Sequence, residues 1–433
     1  MPYKGTFRSK PEFASKTGHI DVIKNPFVRQ LIESFLSQDD STPNSQAQWQ
    51  SFDLVNVSDL PLVFAVDGSY QVISSEGRPR KELGFVKTAL LCLNEPALDR
   101  LDKKYPHPEK LKKILERSAL YHSTVFPLRG VRIPHHNTYH GIRRIIYDSI
   151  KKDPNNQDEV FKTLKWIVYR KWRDRQYKPE PFGCPHCNRS VAELEYDRDE
   201  GPCPGCGQLL YLTDWLGLHT DLMEDAAPES VARYYMLIHE ILLLITGVRL
   251  YWEKDPRILK TCLFIKDGPL SIRASHQKIA VALRDFFRVA KEREIIVHLI
   301  GQEKTGAFVE HLEHISVDTP NNSFFIPSNK YILEEVLQRP SGEFPYGYYH
   351  SFGSKVFVKL TDYHKFVFSI PTGGFVENPN IEDFIGFHAL MATLPRILSF
   401  RYENALLPIE LANGIASLST YPSAHILSLF ALS

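Results

Sequence analysis

Apolar residues in this chain gather into short continuous runs, and two of those runs end alike. Leu62 to Val66 leads into Asp67-Gly68-Ser69, and the apolar stretch within Thr261 to Leu270 leads into Asp267-Gly268-Pro269. Short apolar runs closed by turn residues read as buried strands. Further runs at Tyr70 to Ser74 and Gly84 to Leu93, around the turn-rich Glu76-Gly77-Arg78-Pro79, predict an antiparallel meander of three strands. Helical spacing predicts helices over Phe27 to Leu36, Leu111 to Leu120, Pro228 to Thr246 with Gly247 as terminator, Ile272 to Lys291, and Ile381 to Leu394. Strands are expected at Ile295 to Ile300, Lys355 to Leu360 and Lys365 to Ile370. The run from the Asp267 strand through a helix to Ile295 to Ile300 fits parallel strands, so the class is α/β with helices flanking the sheet.

This pattern divides the chain into an N-terminal helical arm and linker (1–60), a first part of the core (61–160), an insertion (161–225) and a second part of the core (226–433). Composition changes that picture little. Hydrophobic content is 43%, charged content 24% and net charge +1, so any nucleic-acid contact has to come from a local patch. There is no secretory h-region, and Tyr234 to Ile245 is too short to span a bilayer. A soluble, cytoplasmic protein without membrane contact is expected.

The insertion carries two kinds of chemistry. Cys184-Pro-His-Cys187 and Cys203-Pro-Gly-Cys206 form a C-x2-C-x15-C-x2-C pattern, which is the spacing of two thiolate knuckles around a structural Zn²⁺. Before it, Lys162 to Lys178 interleaves cations with Trp166, Tyr169, Trp172 and Tyr177. Lys165, Trp166, Arg170, Lys171, Trp172 and Arg173 are therefore candidates for contacting phosphates and stacking on bases. The competing reading is an amphipathic helix with its aromatic residues in a core and its charges in water.

Two strands that each deliver an Asp to a sheet edge are a common way to hold a hard divalent cation. The alternative is a pair of ordinary Asp-Gly turns. Glu240 adds weight to the metal reading. Met236, Leu237, Leu243 and Leu244 enclose it at helical spacing, and an ionised carboxylate there needs a cation or a hydrogen-bonding partner. Glu253 is its rival, but it sits in a polar stretch. Glu240→Gln is expected to leave metal-free stability equal or higher.

The order of these pieces resembles the NurA nuclease family. The matching residues are Val66-Asp67-Gly68-Ser69, Glu240, Lys266-Asp267-Gly268-Pro269-Leu270, the strand leading to Lys304, and Leu407-Pro408-Ile409-Glu410-Leu411-Ala412-Asn413. The resemblance implies an RNase H-like mixed sheet flanked by helices, here with a zinc-ribbon insertion. It implies Asp67, Glu240 and Asp267 as ligands of catalytic Mn²⁺ or Mg²⁺, and a nuclease acting on DNA ends and single strands. It also implies a homodimer that pairs with a HerA-type hexameric translocase. The family's C-terminal Tyr and His are replaced by Ala405 and Asn413. Asn413 can orient a phosphate or a water but cannot act as an acid or base at neutral pH. Asp67 is the expected bridge between two ions, with Lys304 balancing phosphate charge. The opposing function class is a non-catalytic adaptor that binds nucleic acid or protein on a degenerate nuclease fold.

Overall fold

The computed structural model describes residues 22–34, 47–52, 54, 57–94, 119–134, 136–155, 158–189, 191–221, 228–339, 344–418 and 423–432. The chain forms two compact units, Met1–Gln46 and Ala47–Ser433. In the first, helix α1 (Pro26–Ser34) exposes Phe27, Leu31 and Ile32. The polar run expected as a linker lies largely outside the described residues.

The second unit is built on a nine-stranded mixed sheet in the order β1-β9-β10-β11-β8-β7-β2-β3-β4. Within it β2 (Leu62–Ser74) pairs antiparallel with β3 (Glu82–Asn94) and parallel with β7 (Cys262–Asp267). Outside β3 lies β4 (Ala119–Arg129), antiparallel, and outside β7 lies β8 (His298–Glu303), parallel. The remaining strands are β1 (Gln50–Ser51), β9 (Ser323–Phe325), β10 (Ser354–Thr361) and β11 (His364–Ile370), joined through antiparallel ladders. A separate hairpin pairs β5 (Glu200–Pro202) with β6 (Leu209–Tyr211) in the cysteine-rich region.

Side chains alternate along β2, so each face has its own core. Phe64 and Val66 face one cluster, whose helices include α2 (Thr138–Lys151), α3 (Glu159–Val168), α4 (Glu229–Lys254) and α5 (Gln277–Glu292). Val63 and Ala65 face another, with α7 (Phe387–Thr393) and α8 (Leu407–Ala416). A smaller cluster lies under α6 (Ala307–Ile315), and α9 (Ser423–Leu432) closes the described chain.

Several expected boundaries move, each for a physical reason. Asp67-Gly68 is not a turn: β2 runs unbroken through it for 13 residues, and Gly68 pairs with Thr88. The meander is therefore β2, β3 and β4. Helix α4 does not stop at Gly247 but continues to Lys254. A Cβ at Gly247 would lie 3.2 Å from the Phe264 ring, so this glycine lets the helix sit close on β7. Most of the helix expected at Leu111 to Leu120 lies outside the described residues, and Leu120 itself belongs to β4. Among the described residues, α4 is the one helix long and apolar enough to cross a membrane, yet 78% of its most apolar window is buried inside the protein.

A candidate metal site at the end of two parallel strands

Asp67 and Asp267 meet through register. Val66 pairs with Lys266 in the parallel β2–β7 ladder, so the next residue on each strand is an aspartate. At that point β7 ends: Gly268 adopts φ +88°, which glycine tolerates, and the chain turns away. β2 continues without it, so Asp67 stands beside the carboxyl end of parallel β7, the usual ligand position in α/β sheets.

Glu240 reaches the same point from α4. Its Oε1 lies so near Gly68 that a Cβ there would stand 2.5 Å away. Gly68 is thus needed for close approach of a carboxylate, not for a bend. Asp67 is only 4% exposed; its Oδ1 accepts the Gly68 N–H at 2.7 Å, and its Oδ2 has no hydrogen-bond partner among the described residues. Burial, together with the neighbouring Asp267 and Glu240 charges, pushes the Asp67 carboxyl up from 3.8 to about 8. Burial also raises Glu240, against the opposing pull of Lys266.

Two lysines hold the other acids. Lys266 Nζ stands 3.0 Å from Glu240 Oε2 and donates to the Asp267 carbonyl at 2.6 Å. Lys304 Nζ donates to Asp267 Oδ2 at 2.8 Å, as its place at the end of the β8 strand allows. Lys304 therefore joins the site, while Lys266 was missed although it adjoins Asp267. The signal was present: a lysine inside an apolar strand demands a buried anion. Glu253 is half-exposed and paired with Arg249 at 2.5 Å, so it does not compete with Glu240.

Three carboxylates with one orphaned buried oxygen are a fitting donor set for Mg²⁺ or Mn²⁺. Among the described residues, however, only the cysteine quartet has its ligand atoms all within 4.8 Å of one another. The carboxylates stand wider apart, each of two drawn to its lysine. Asn413 lies exposed on α8, with its carbonyl accepting the Ser417 N–H and no side-chain hydrogen bond to the acids among the described residues.

Cys184, Cys187, Cys203 and Cys206 form a group that could hold a metal such as zinc. The two knuckles are built alike. In the first, the Asn188 N–H donates to the Cys184 carbonyl and the Cys184 N–H to the Arg189 carbonyl; in the second, Gly207 and Gln208 take the equivalent places around Cys203. Asn188 (φ 58°) and Gly207 (φ 72°) both take the left-handed conformation that closes such a turn. The N–H groups of His186 and Gly205 point at the Cys184 and Cys203 sulfurs, each at 3.4 Å. Four thiolates leave no open coordination position, so the metal there would be structural.

The basic-aromatic segment does not present a stacking surface. Trp166 and Trp172 are each 1% exposed and pack against Phe286. Nor are the four candidate cations left unpaired. Lys165 pairs with Asp197 and Asp199, and Lys171 with Asp197, so the acidic loop of the ribbon neutralises them. Arg170 and Arg173 both converge on Asp285, where the Trp172 indole N–H also donates. This constellation docks the cysteine-rich region onto α5 and the core.

The chain matches no protein-family model, and a search of curated proteins finds no match either.

Proposed function

We propose that this protein is a divalent-metal-dependent nuclease of RNase H-like architecture that hydrolyses DNA at ends or in single strands. One observation carries the reading: Asp67, Asp267 and Glu240 are delivered to one sheet edge, with a buried Asp67 oxygen left unpartnered. The strand order supports it, since a β2-β3-β4 meander flanked on the other side by parallel β7 and β8 is the arrangement the RNase H-like reading requires.

In this reading Asp67 and Asp267 would hold a Mn²⁺ or Mg²⁺ ion, with Glu240 approaching across Gly68. The ion would supply a water ionised at neutral pH and stabilise charge on the phosphoryl oxygens. The chain's own groups do the rest. Lys304 is 37% exposed on its side chain and can leave Asp267 to meet a phosphate oxygen. Lys266 is enclosed, opposes the rise that burial imposes on Glu240 and orients it. Asn413 is reserved for a hydrogen-bonding role toward substrate.

The test is cleavage of labelled single-stranded DNA with and without Mn²⁺, using Asp67→Asn as control. Absence of cleavage under all divalent conditions would favour the adaptor reading, which the two lysine-neutralised acids also fit. The resemblance extends the proposal to a cytoplasmic homodimer docked on a HerA-like translocase. A monomer by light scattering at micromolar concentration would remove the dimer.

A further inference from the structure

The cluster of aromatic side chains at Phe344, Tyr348 and Tyr349 had no place in the sequence reading. All three are exposed, at 51%, 42% and 40%. They contact one another, with Phe344 and Tyr348 stacked at 6.2 Å, and Tyr348 meets the Phe375 ring edge-on at 5.1 Å. Exposed aromatic rings in mutual contact are costly in water unless something covers them.

Their placement identifies what does. The loop behind them is pinned to the segment that follows Asp267: the Ile272 N–H donates to the His350 carbonyl at 2.8 Å and the Phe352 N–H to the Leu270 carbonyl at 2.9 Å. Ser271 and Ser351 form a β-bridge between those two bonds. Asp267 and Ser271 are at most about 14 Å apart along the chain. The loop that carries the rings is therefore tied to the chain three to five residues beyond Asp267. Arg284 fixes the loop by donating to the Tyr348 carbonyl at 2.7 Å, and no acid pairs with it among the described residues. An uncompensated guanidinium beside exposed rings matches a strand with anionic phosphates and flat bases.

We infer that Phe344, Tyr348 and Tyr349 form a stacking platform for unpaired nucleobases of a single strand whose backbone leads to Asp67 and Asp267. The inference rests on the nuclease reading for its substrate, but it is tested by binding alone. The probes are a fluorescent oligothymidylate and an abasic sugar-phosphate oligomer of equal length. Both are titrated, without divalent ions, into the full chain carrying Asp67→Asn. Stacking makes the thymidylate bind at least about tenfold tighter than the abasic strand.

Phe344→Ala/Tyr348→Ala/Tyr349→Ala should bring the thymidylate down to the abasic affinity while leaving the abasic affinity unchanged. A Leu triple variant keeps apolar bulk without ring faces and should behave like the Ala variant. Equal affinity for the two probes before mutation overturns the inference, and so does an equal loss on both probes after it. Cleavage by the native chain without base-dependent binding would remove the platform and leave the nuclease. Base-dependent binding without cleavage would do the reverse.

Discussion

Lys266 and Glu240 form an ion pair at 3.0 Å in which both side chains are almost wholly enclosed, at 4% and 3% exposure. Breaking such a pair from one side strands the other charge, typically at about 3–5 kcal/mol. Lys266→Met should therefore lower metal-free stability by roughly that amount. The same pair reverses an expectation from sequence: Glu240→Gln should destabilise the metal-free protein, because it leaves Lys266 unmatched. The double substitution should recover most of the loss. Urea denaturation of the four proteins measures the coupling, and strict additivity would show that the pair is not formed in solution.

Asp67 makes stability depend on pH. Its folded-state carboxyl titrates near 8, far above its ordinary 3.8, so folding favours the protonated form. That contribution is fully present below about pH 4 and is lost as pH rises through 8. The metal-free melting temperature should fall between pH 5 and pH 8, by on the order of a few kcal/mol in stability, then level off. Asp67→Asn should flatten this dependence and be the more stable protein at pH 8. A flat profile in the native protein would count against a protonated Asp67.

Gly68→Ala tests the approach of the helix acid. The added methyl would stand 2.5 Å from Glu240 Oε1 and 2.8 Å from Met236 Cγ, so α4 or the carboxylate must shift. Overpacking of this kind costs about 1–3 kcal/mol. Metal-dependent cleavage should fall at least tenfold, since Glu240 loses its place beside the strand. Unaltered cleavage would remove Glu240 from the site.

Metal in the cysteine quartet should matter to the whole core. Cys184, Ala192, Leu194, Cys203 and Leu210 belong to the same buried cluster as Trp166, Trp172 and Phe286. Cys203→Ser should lose about one zinc per chain by elemental analysis, and a chelator should lower the melting temperature of the entire second unit in one transition. A variant with full zinc content would rule the assignment out.

Much of the candidate site was legible because its acids violate a pattern. Asp67 and Asp267 end apolar runs, and Glu240 interrupts an apolar helix. Lys266 violates the same pattern without revealing what answers it. Its partner lies on another element, and spacing along the chain carries no information about that. Lys162 to Lys178 failed for a related reason. Trp166, Tyr169 and Trp172 recur every three residues, which is a buried stripe, while the acids that neutralise the cations come from a loop some thirty residues on. The rings at Phe344 to Tyr349 carry no periodicity at all, and only the bridge to Ser271 gives them a location.

The straight passage of β2 through Asp67-Gly68 has one more consequence. From Leu62 to Val66 the strand is paired on both sides, whereas beyond Val66 its ladder continues only with β3. Its residues change there from buried to partly accessible, from Gly68 through Val72. An acid on a strand flanked on both sides can be approached only from above or below the sheet. Asp67 sits at the boundary, and from Gly68 onward β2 keeps its backbone pairing on the β3 side alone. Just past it the Ser69 hydroxyl accepts the Leu418 N–H at 3.1 Å, so the C-terminal segment meets the strand two residues beyond Asp67 and takes a position that a neighbouring strand would otherwise hold closed.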